Sequence, residues 1–255
     1  MSLWQKLLDV KNQKGAGFWI LIDPEDVDPG RLPEFVNKAK DSDVDAFLVG
    51  ASTLNSGSLD DTIKQIKNNC DLPVIIFPGS SEQVSEFADG ILFLTLISSR
   101  NPDYLISEQV KGAPLIKSAC IEPIATGYIL VESGKVTTVQ SVSNSEPIPS
   151  DNPEYARSHA LAAQYMGMKA VYLEAGSGAL NSVPQEIVTA VNEFTDIPII
   201  VGGGIRTPQC AREKVIAGAS FVVVGNHFEQ DGTENMLGEF AEAIHTKLKC
   251  GVSIE

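Results

Sequence analysis

Short runs of apolar, often β-branched residues recur along the chain, separated by stretches in which hydrophobic positions fall three or four apart. The runs are "GFWILID" from Gly17, "AFLVG" from Ala46, "LPVIIF" from Leu72, "GILFLTLI" from Gly90, "GYILVE" from Gly127, "AVYLEA" from Ala170, "IPIIVGGG" from Ile197 and "FVVVGN" from Phe221. Most lack polar–apolar alternation, the pattern of strands buried on both faces of a parallel sheet. Helix punctuation lies between them. Ser58 followed by Asp61 resembles a capping box ahead of Leu59, Ile63 and Ile66. Asn152-Pro153 opens a helix that Gly167 can close, and Thr207-Pro208 opens one ended by Gly218. Met236, Phe240, Ile244 and Leu248 mark one stripe of a last helix.

Strands alternating with helices over 255 residues predict an α/β fold, a single (β/α)8 TIM-type barrel domain over residues 1–255, with a doubly wound open sheet as the alternative. Two intervals depart from the repeat. Only "PGSSEQVSEFAD" separates the third and fourth runs, too little for a crossover helix and two loops, so the third helix is expected to be missing or stunted. Between the fifth and sixth runs, Lys135 to Val142 reads as a second β-like piece, and an extended hairpin is expected there ahead of a lid.

Charge and composition then remove several function classes. A formal net charge of -14 with no basic run speaks against a nucleic-acid partner. Cys70, Cys120, Cys210 and Cys250 contain no CxxC pair and have no metal-ligand spacing with His159, His227 or His245, which fits a reducing cytosol. The first apolar run is too short for a signal core or a membrane span, so neither secretion nor insertion is expected.

In a barrel of this kind the chemistry sits where the strands end at their C-termini. Those ends carry Asp23-Pro24-Glu25, Ser52, Arg100, Glu174 with Gly176-Ser177-Gly178, Gly202-Gly203-Gly204, and Gly225-Asn226. Glycines at successive strand ends allow backbone N–H groups to approach a phosphate. Glu174 then sits beside that phosphate, either gripping hydroxyls of the molecule that bears it or paired with Arg206. Asp23 and Ser52 offer hard oxygen ligands for Mg²⁺, or else a helix cap and a turn. Arg100 either contacts an anionic group or forms a loop salt bridge. Phe77, Phe93 and Tyr104 are either core or the wall of an apolar groove.

The segments "LIDPE", "VGAST", "FPGS", "SSRNPDYLI", "YLEAGSGA", "VGGGIR" and "VGNHFE", in this order, resemble the geranylgeranylglyceryl phosphate synthase family with its bacterial heptaprenylglyceryl phosphate synthase relatives. The resemblance covers nearly the whole chain. It implies a modified barrel that has lost its third helix, and a cytoplasmic prenyltransferase joining a polyprenyl diphosphate, of C20 length, to the terminal hydroxyl of sn-glycerol 1-phosphate. It implies Mg²⁺ on Asp23 and Ser52, and glycerol phosphate held by Tyr172, Leu173, Glu174, Ala175, Gly176, Ser177, Gly178, Gly203, Gly204, Gly225 and Asn226. Catalysis would fall to Glu174 and Asp23. It further implies a homo-oligomer, dimer or hexamer, and peripheral membrane contact through the lipid substrate. The rival readings are a metal-independent phosphosugar isomerase using Asp23 and Glu132, and a non-catalytic phosphate-binding barrel.

Overall fold

The computed structural model describes residues 1–51, 54, 59–225 and 233–247. Helix α1 (Leu3–Lys14) precedes β1 (Gly17–Ile22). Then follow α2 (Leu32–Asp41), β2 (Ala46–Val49), α3 (Leu59–Asn69), β3 (Val74–Ile76), β4 (Gly90–Leu96), α4 (Glu108–Ala119), β5 (Glu122–Leu130), α5 (Thr138–Ser143) and α6 (Pro153–Tyr165). The chain continues through β6 (Ala170–Glu174), α7 (Gln185–Asn192), β7 (Ile199–Gly202), α8 (Pro208–Ile216), β8 (Phe221–Val224) and α9 (Leu237–Ile244). Neighbouring strands are all parallel and β1 pairs with β8, so the sheet closes into an eight-stranded barrel rather than an open sheet.

Strand alternation sorts the side chains into two shells. Phe18, Ile20, Phe47, Val49, Val171, Leu173, Val201 and Val222 point outward and pack under helices with Val36, Ile63, Ile187 and Phe240. Trp19, Leu48, Ile75, Leu92, Tyr128, Tyr172, Phe221 and Val223 point inward and fill the barrel. Both shells exclude water, which is why the strands read as continuous apolar runs.

The helix starts follow their sequence cues. The Asn152 side chain accepts the Tyr155 N–H at 3.1 Å with Pro153 next, and the Thr207 hydroxyl accepts the Cys210 N–H at 3.1 Å with Pro208 next. Gly167 and Gly218, with φ of 80° and 114°, end the two helices as expected. The capping residue proposed for α3, Ser58, and the stripe residue Leu248 lie outside the described residues. Between β3 and β4 there is no helix, as the short interval predicts.

One expectation fails. The Lys135–Val142 stretch forms no hairpin strand; Thr138–Ser143 is the short helix α5. Inside a closed barrel β5 is already flanked by β4 and β6, so a further strand has no edge to join. The one extra pairing in this connection is the isolated bridge between Val131 and Ile148. β5 itself begins at Glu122, earlier than its apolar run suggests, because Pro123 and Thr126 interrupt the hydrophobic pattern without interrupting the ladder to β4.

Helix α1 was not anticipated. It closes the N-terminal end of the barrel: Leu3 and Leu7 enter the inner shell beneath Trp19 and Phe221, whose rings stack at 4.3 Å. The Glu122 carboxylate accepts the N–H groups of Leu3 at 2.6 Å and Trp4 at 3.4 Å, satisfying orphan donors at the helix start. At the same end, His245 after α9 lies 2.9 Å from Asp45, which also accepts the Phe18 N–H at 2.7 Å. The plug is therefore a packed element, and Leu7→Ala is expected to lower stability by about 2–5 kcal/mol, read from the denaturant midpoint at unchanged slope. A loss below about 1 kcal/mol would show that α1 does not fill the barrel floor.

Candidate active site

A cavity of about 650 Å³ opens at the C-terminal ends of the strands. Its floor is aromatic. Phe77 from the end of β3 stacks on Tyr172 at 5.2 Å, and Tyr128 leans against Tyr172 at 5.5 Å and against Phe77 at 6.0 Å. Inward-facing positions on β5 and β6 put both tyrosines there, and Tyr128, near the end of β5, was the signal that sequence reasoning passed over.

Glu174, two residues above Tyr172 on the inward face of β6, ends this stack and is 5% exposed. Its Oε1 accepts the Gly176 N–H at 2.6 Å. Burial pushes its carboxyl up to about 7, opposed by the Gly176 amide, the Tyr172 hydroxyl and the Ala175 amide, which favour the charged form. The carboxylate in turn adds to burial in raising Tyr172 and Tyr128, so both phenols stay neutral, and the buried Tyr172 hydroxyl has no hydrogen-bond partner among the described residues.

The loop after β7 is shaped to this carboxylate. Gly203 has φ of 82°, and a Cβ on it would overlap Glu174 Oε1 and stand 2.7 Å from the Gly176 nitrogen. Any side chain there would both strain the backbone and displace the acid. Gly176, Ser177, Gly178, Gly203, Gly204 and Gly225 all line this side of the cavity.

The opposite wall is acidic. Asp23, Glu25 and Asp26 line the cavity after β1. Asp23 Oδ1 accepts the Glu25 N–H at 2.9 Å, a turn contact rather than a helix cap, since α2 starts only at Leu32. Burial, with Asp26 and Glu25 nearby, raises the Asp23 carboxyl, and the Glu25 amide opposes the rise. Glu25 and Asp26 are exposed, and among the described residues no three acidic, histidine or cysteine side chains converge on one metal position; Asp23 alone offers a partly desolvated hard oxygen ligand here. Ser52 and Asn226 lie outside the described residues.

A third region is apolar. With no helix between β3 and β4, Ile91 and Phe93 on the outward side of β4 line the cavity, and Val84, Gly112, Ile116 and Tyr104 complete a slot running from the aromatic floor toward α4. Phe77, Phe93 and Tyr104 all line the cavity.

Several anticipated residues stand elsewhere. Leu173 and Ala175 belong to the outer shell, because strand alternation turns them away from the cavity that Tyr172 and Glu174 face. Arg206 does not pair with Glu174; its guanidinium donates to the carbonyls of Ala179 and Leu180 and braces the glycine loop from behind. Arg100 does not line the cavity and forms no ion pair among the described residues; it donates to Ser99 O at 2.8 Å and to the Tyr155 hydroxyl at 3.3 Å. Glu132 is exposed near Ser150, away from the cavity, which removes the acid–base pair that the isomerase reading needs.

The chain is similar over almost its whole length to known proteins. It is 40% identical to a geranylgeranylglyceryl phosphate synthase of Chitinophaga pinensis, covering 96% of each chain, and 43% identical to one of Thermococcus kodakarensis, covering 91% of each. The crystal structure of (S)-3-O-geranylgeranylglyceryl phosphate synthase from Thermoplasma acidophilum, in complex with its substrate sn-glycerol-1-phosphate, superposes with a TM-score of 0.90 at 37% identity, covering 96% of this chain and 99% of that one. The family model described as the PcrB family matches residues 8–244. The barrel, its lost third helix and these matches converge: the chain belongs to the PcrB family, in which its relatives are geranylgeranylglyceryl phosphate synthases.

Proposed function

We propose that this protein is a prenyltransferase that joins a polyprenyl diphosphate, geranylgeranyl diphosphate in the first instance, to the terminal hydroxyl of sn-glycerol 1-phosphate. The observation that carries the reading is the position of Glu174, a buried carboxyl at the junction of an amide-lined pocket, an aromatic floor and an apolar slot. The glycine loops receive the phosphate on backbone N–H groups. Glu174 then lies beside the glycerol hydroxyls, orients the attacking one and takes its proton as the C–O bond forms. Phe77, Tyr128 and Tyr172 present π faces to positive charge developing on the allylic carbon. The slot beside Ile91 and Phe93 shelters the prenyl tail from water.

Mg²⁺ held by Asp23, with Ser52, is part of the proposal; when bound it supplies positive charge to the diphosphate as that group leaves. The partly buried Asp23 carboxylate facing the cavity supports it. A cytoplasmic location, a dimer or hexamer, and peripheral contact with the membrane that holds the lipid substrate complete the reading, supported by the family resemblance. No helix among the described residues is long and apolar enough to cross a membrane.

The direct test is incubation with labelled sn-glycerol 1-phosphate and a ladder of polyprenyl diphosphates, followed by extraction of labelled lipid. Product with the C20 donor is expected; binding of glycerol phosphate with no product from any donor would point to a sensor barrel instead. Asp23→Asn should lower turnover by orders of magnitude in a folded protein, and chelation should silence the wild type. Activity that survives both would remove the metal from the proposal.

Glu174 makes a sharper expectation, because stability and activity should move in opposite directions. A base with its carboxyl near 7 is ionised only above that pH, so turnover should fall on acidification below about 7. Its folded state holds a proton more tightly than the unfolded chain, so native stability should decrease as pH rises from about 4.5 to about 7 and remain lower above. Glu174→Gln removes both effects. Turnover should drop roughly 10²- to 10⁴-fold, while the variant becomes more stable than wild type at pH 8 by an amount on the order of 3 kcal/mol. Near-normal turnover in a well-folded variant would sink the catalytic assignment.

A further inference from the structure

The cavity just described must hold two anions, yet its own charge is negative. Asp23, Glu25, Asp26, Glu108 and Glu174 line it, against Arg206 as the cation among the described lining residues, and Arg206 is engaged by the Ala179 and Leu180 carbonyls. A metal on the Asp23 side, as proposed above, would serve the diphosphate. Across the barrel, amides alone would have to hold a phosphate dianion beside Glu174, whose charged form repels it.

A second layer, outside the residues that line the cavity itself, lies over that loop. Residues 133–137, between β5 and α5, cross the glycine turn after β6 and are tied to it by the Asn181 N–H, which donates to Ser133 O at 3.1 Å. A Cβ on Gly176 would stand 2.7 Å from Thr137 Oγ1, and one on Gly178 would stand 3.2 Å from Lys135 Nζ. Thr137 is 4% exposed, and its hydroxyl is buried with no hydrogen-bond partner. A buried orphan hydroxyl costs free energy unless something arrives to accept or donate there. Among the described residues Lys135 has neither an ion pair nor a hydrogen bond, in a chain whose other lysines on this scale are often paired, such as Lys14, Lys67 and Lys111.

We infer that Lys135 is the phosphate-binding cation of the glycerol phosphate site, with the Thr137 hydroxyl as an accompanying donor, both delivered from above onto the loop of Gly176 to Gly178. The inference rests on the proposed function for the presence of a phosphate in that loop. The ammonium supplies the positive charge that the amides lack, and its approach over Gly178 requires the absence of a side chain there. It also distinguishes acceptors: a glycerol bearing phosphate is held by Lys135, and bare glycerol is not.

The test compares wild type, Lys135→Gln and Lys135→Arg by calorimetric titration with sn-glycerol 1-phosphate and by steady-state kinetics. In the glutamine variant the Kd and KM for glycerol phosphate should rise roughly 10- to 100-fold, the range expected for one hydrogen bond to a charged group. Its kcat at saturating glycerol phosphate, its KM for the diphosphate and its thermal midpoint should stay near wild type, since the exposed side chain packs nothing. The arginine variant should recover most of the affinity, and the affinities of wild type and the arginine variant should weaken more steeply with added salt than that of the glutamine variant. If wild type binds glycerol phosphate and Lys135→Gln binds it equally well, the inference falls and the proposed function stands. If wild type does not bind it at all, both fall together.

Discussion

Taking the Glu174 carboxyl out of water costs free energy that the hydrogen bond from the Gly176 amide only partly returns, so it retains a proton to about pH 7. Much of the upper barrel is arranged around that side chain. Gly203 has no Cβ because one would overlap its oxygen, and the aromatic floor both desolvates it and borders the space where a substrate carbon would react. A carboxylate in the same position but open to solvent would be a weak base beside a phosphate it repels. Burial gives it the proton affinity that the proposed base needs at neutral pH and, when it is protonated, would make it a tolerable neighbour for an anion.

The loss of one helix is the second organising constraint. In a complete repeat the outward faces of Ile91 and Phe93 would be covered between β3 and β4; here they form a slot continuous with the reaction cavity. An apolar chain can therefore lie along the outside of the barrel wall while its reactive end enters the mouth. The neighbouring wall is built by α4, set on after a π-helical turn at Asp103–Ser107, with Gly112 and Ile116 facing the slot.

The barrel was legible because strands buried on both faces leave a local signature, and so was the missing helix, since a short interval is counted directly. The glycine loops were legible as a set because chain order brings successive strand ends together in a closed sheet. What local pattern could not supply was orientation and long-range pairing. Leu173 and Ala175 share a motif with Glu174 yet face the opposite shell, and Arg206 turned to carbonyls that only the folded loop presents. Lys135 to Val142 read as a strand from its β-branched residues, but strand formation depends on a free edge and the barrel has none. Lys135 and Thr137 escaped notice for the same reason: their significance lies in a contact with residues some forty positions later.

Closure between β1 and β8 imposes an order on how the chain can be made. The first strand to leave the ribosome is paired with the last, and Trp19 cannot stack on Phe221 until nearly all of the chain has been synthesised. Helix α1 likewise waits for Glu122 before its first amides are capped. The nascent chain must therefore carry "GFWILI" as an open, apolar sheet edge through most of translation, the kind of surface that recruits chaperones or pairs with a neighbouring chain. Contacts of such long sequence separation also slow the final collapse. For this protein, yield in a host cell should depend more on protecting that first edge during synthesis than on the stability of the finished barrel.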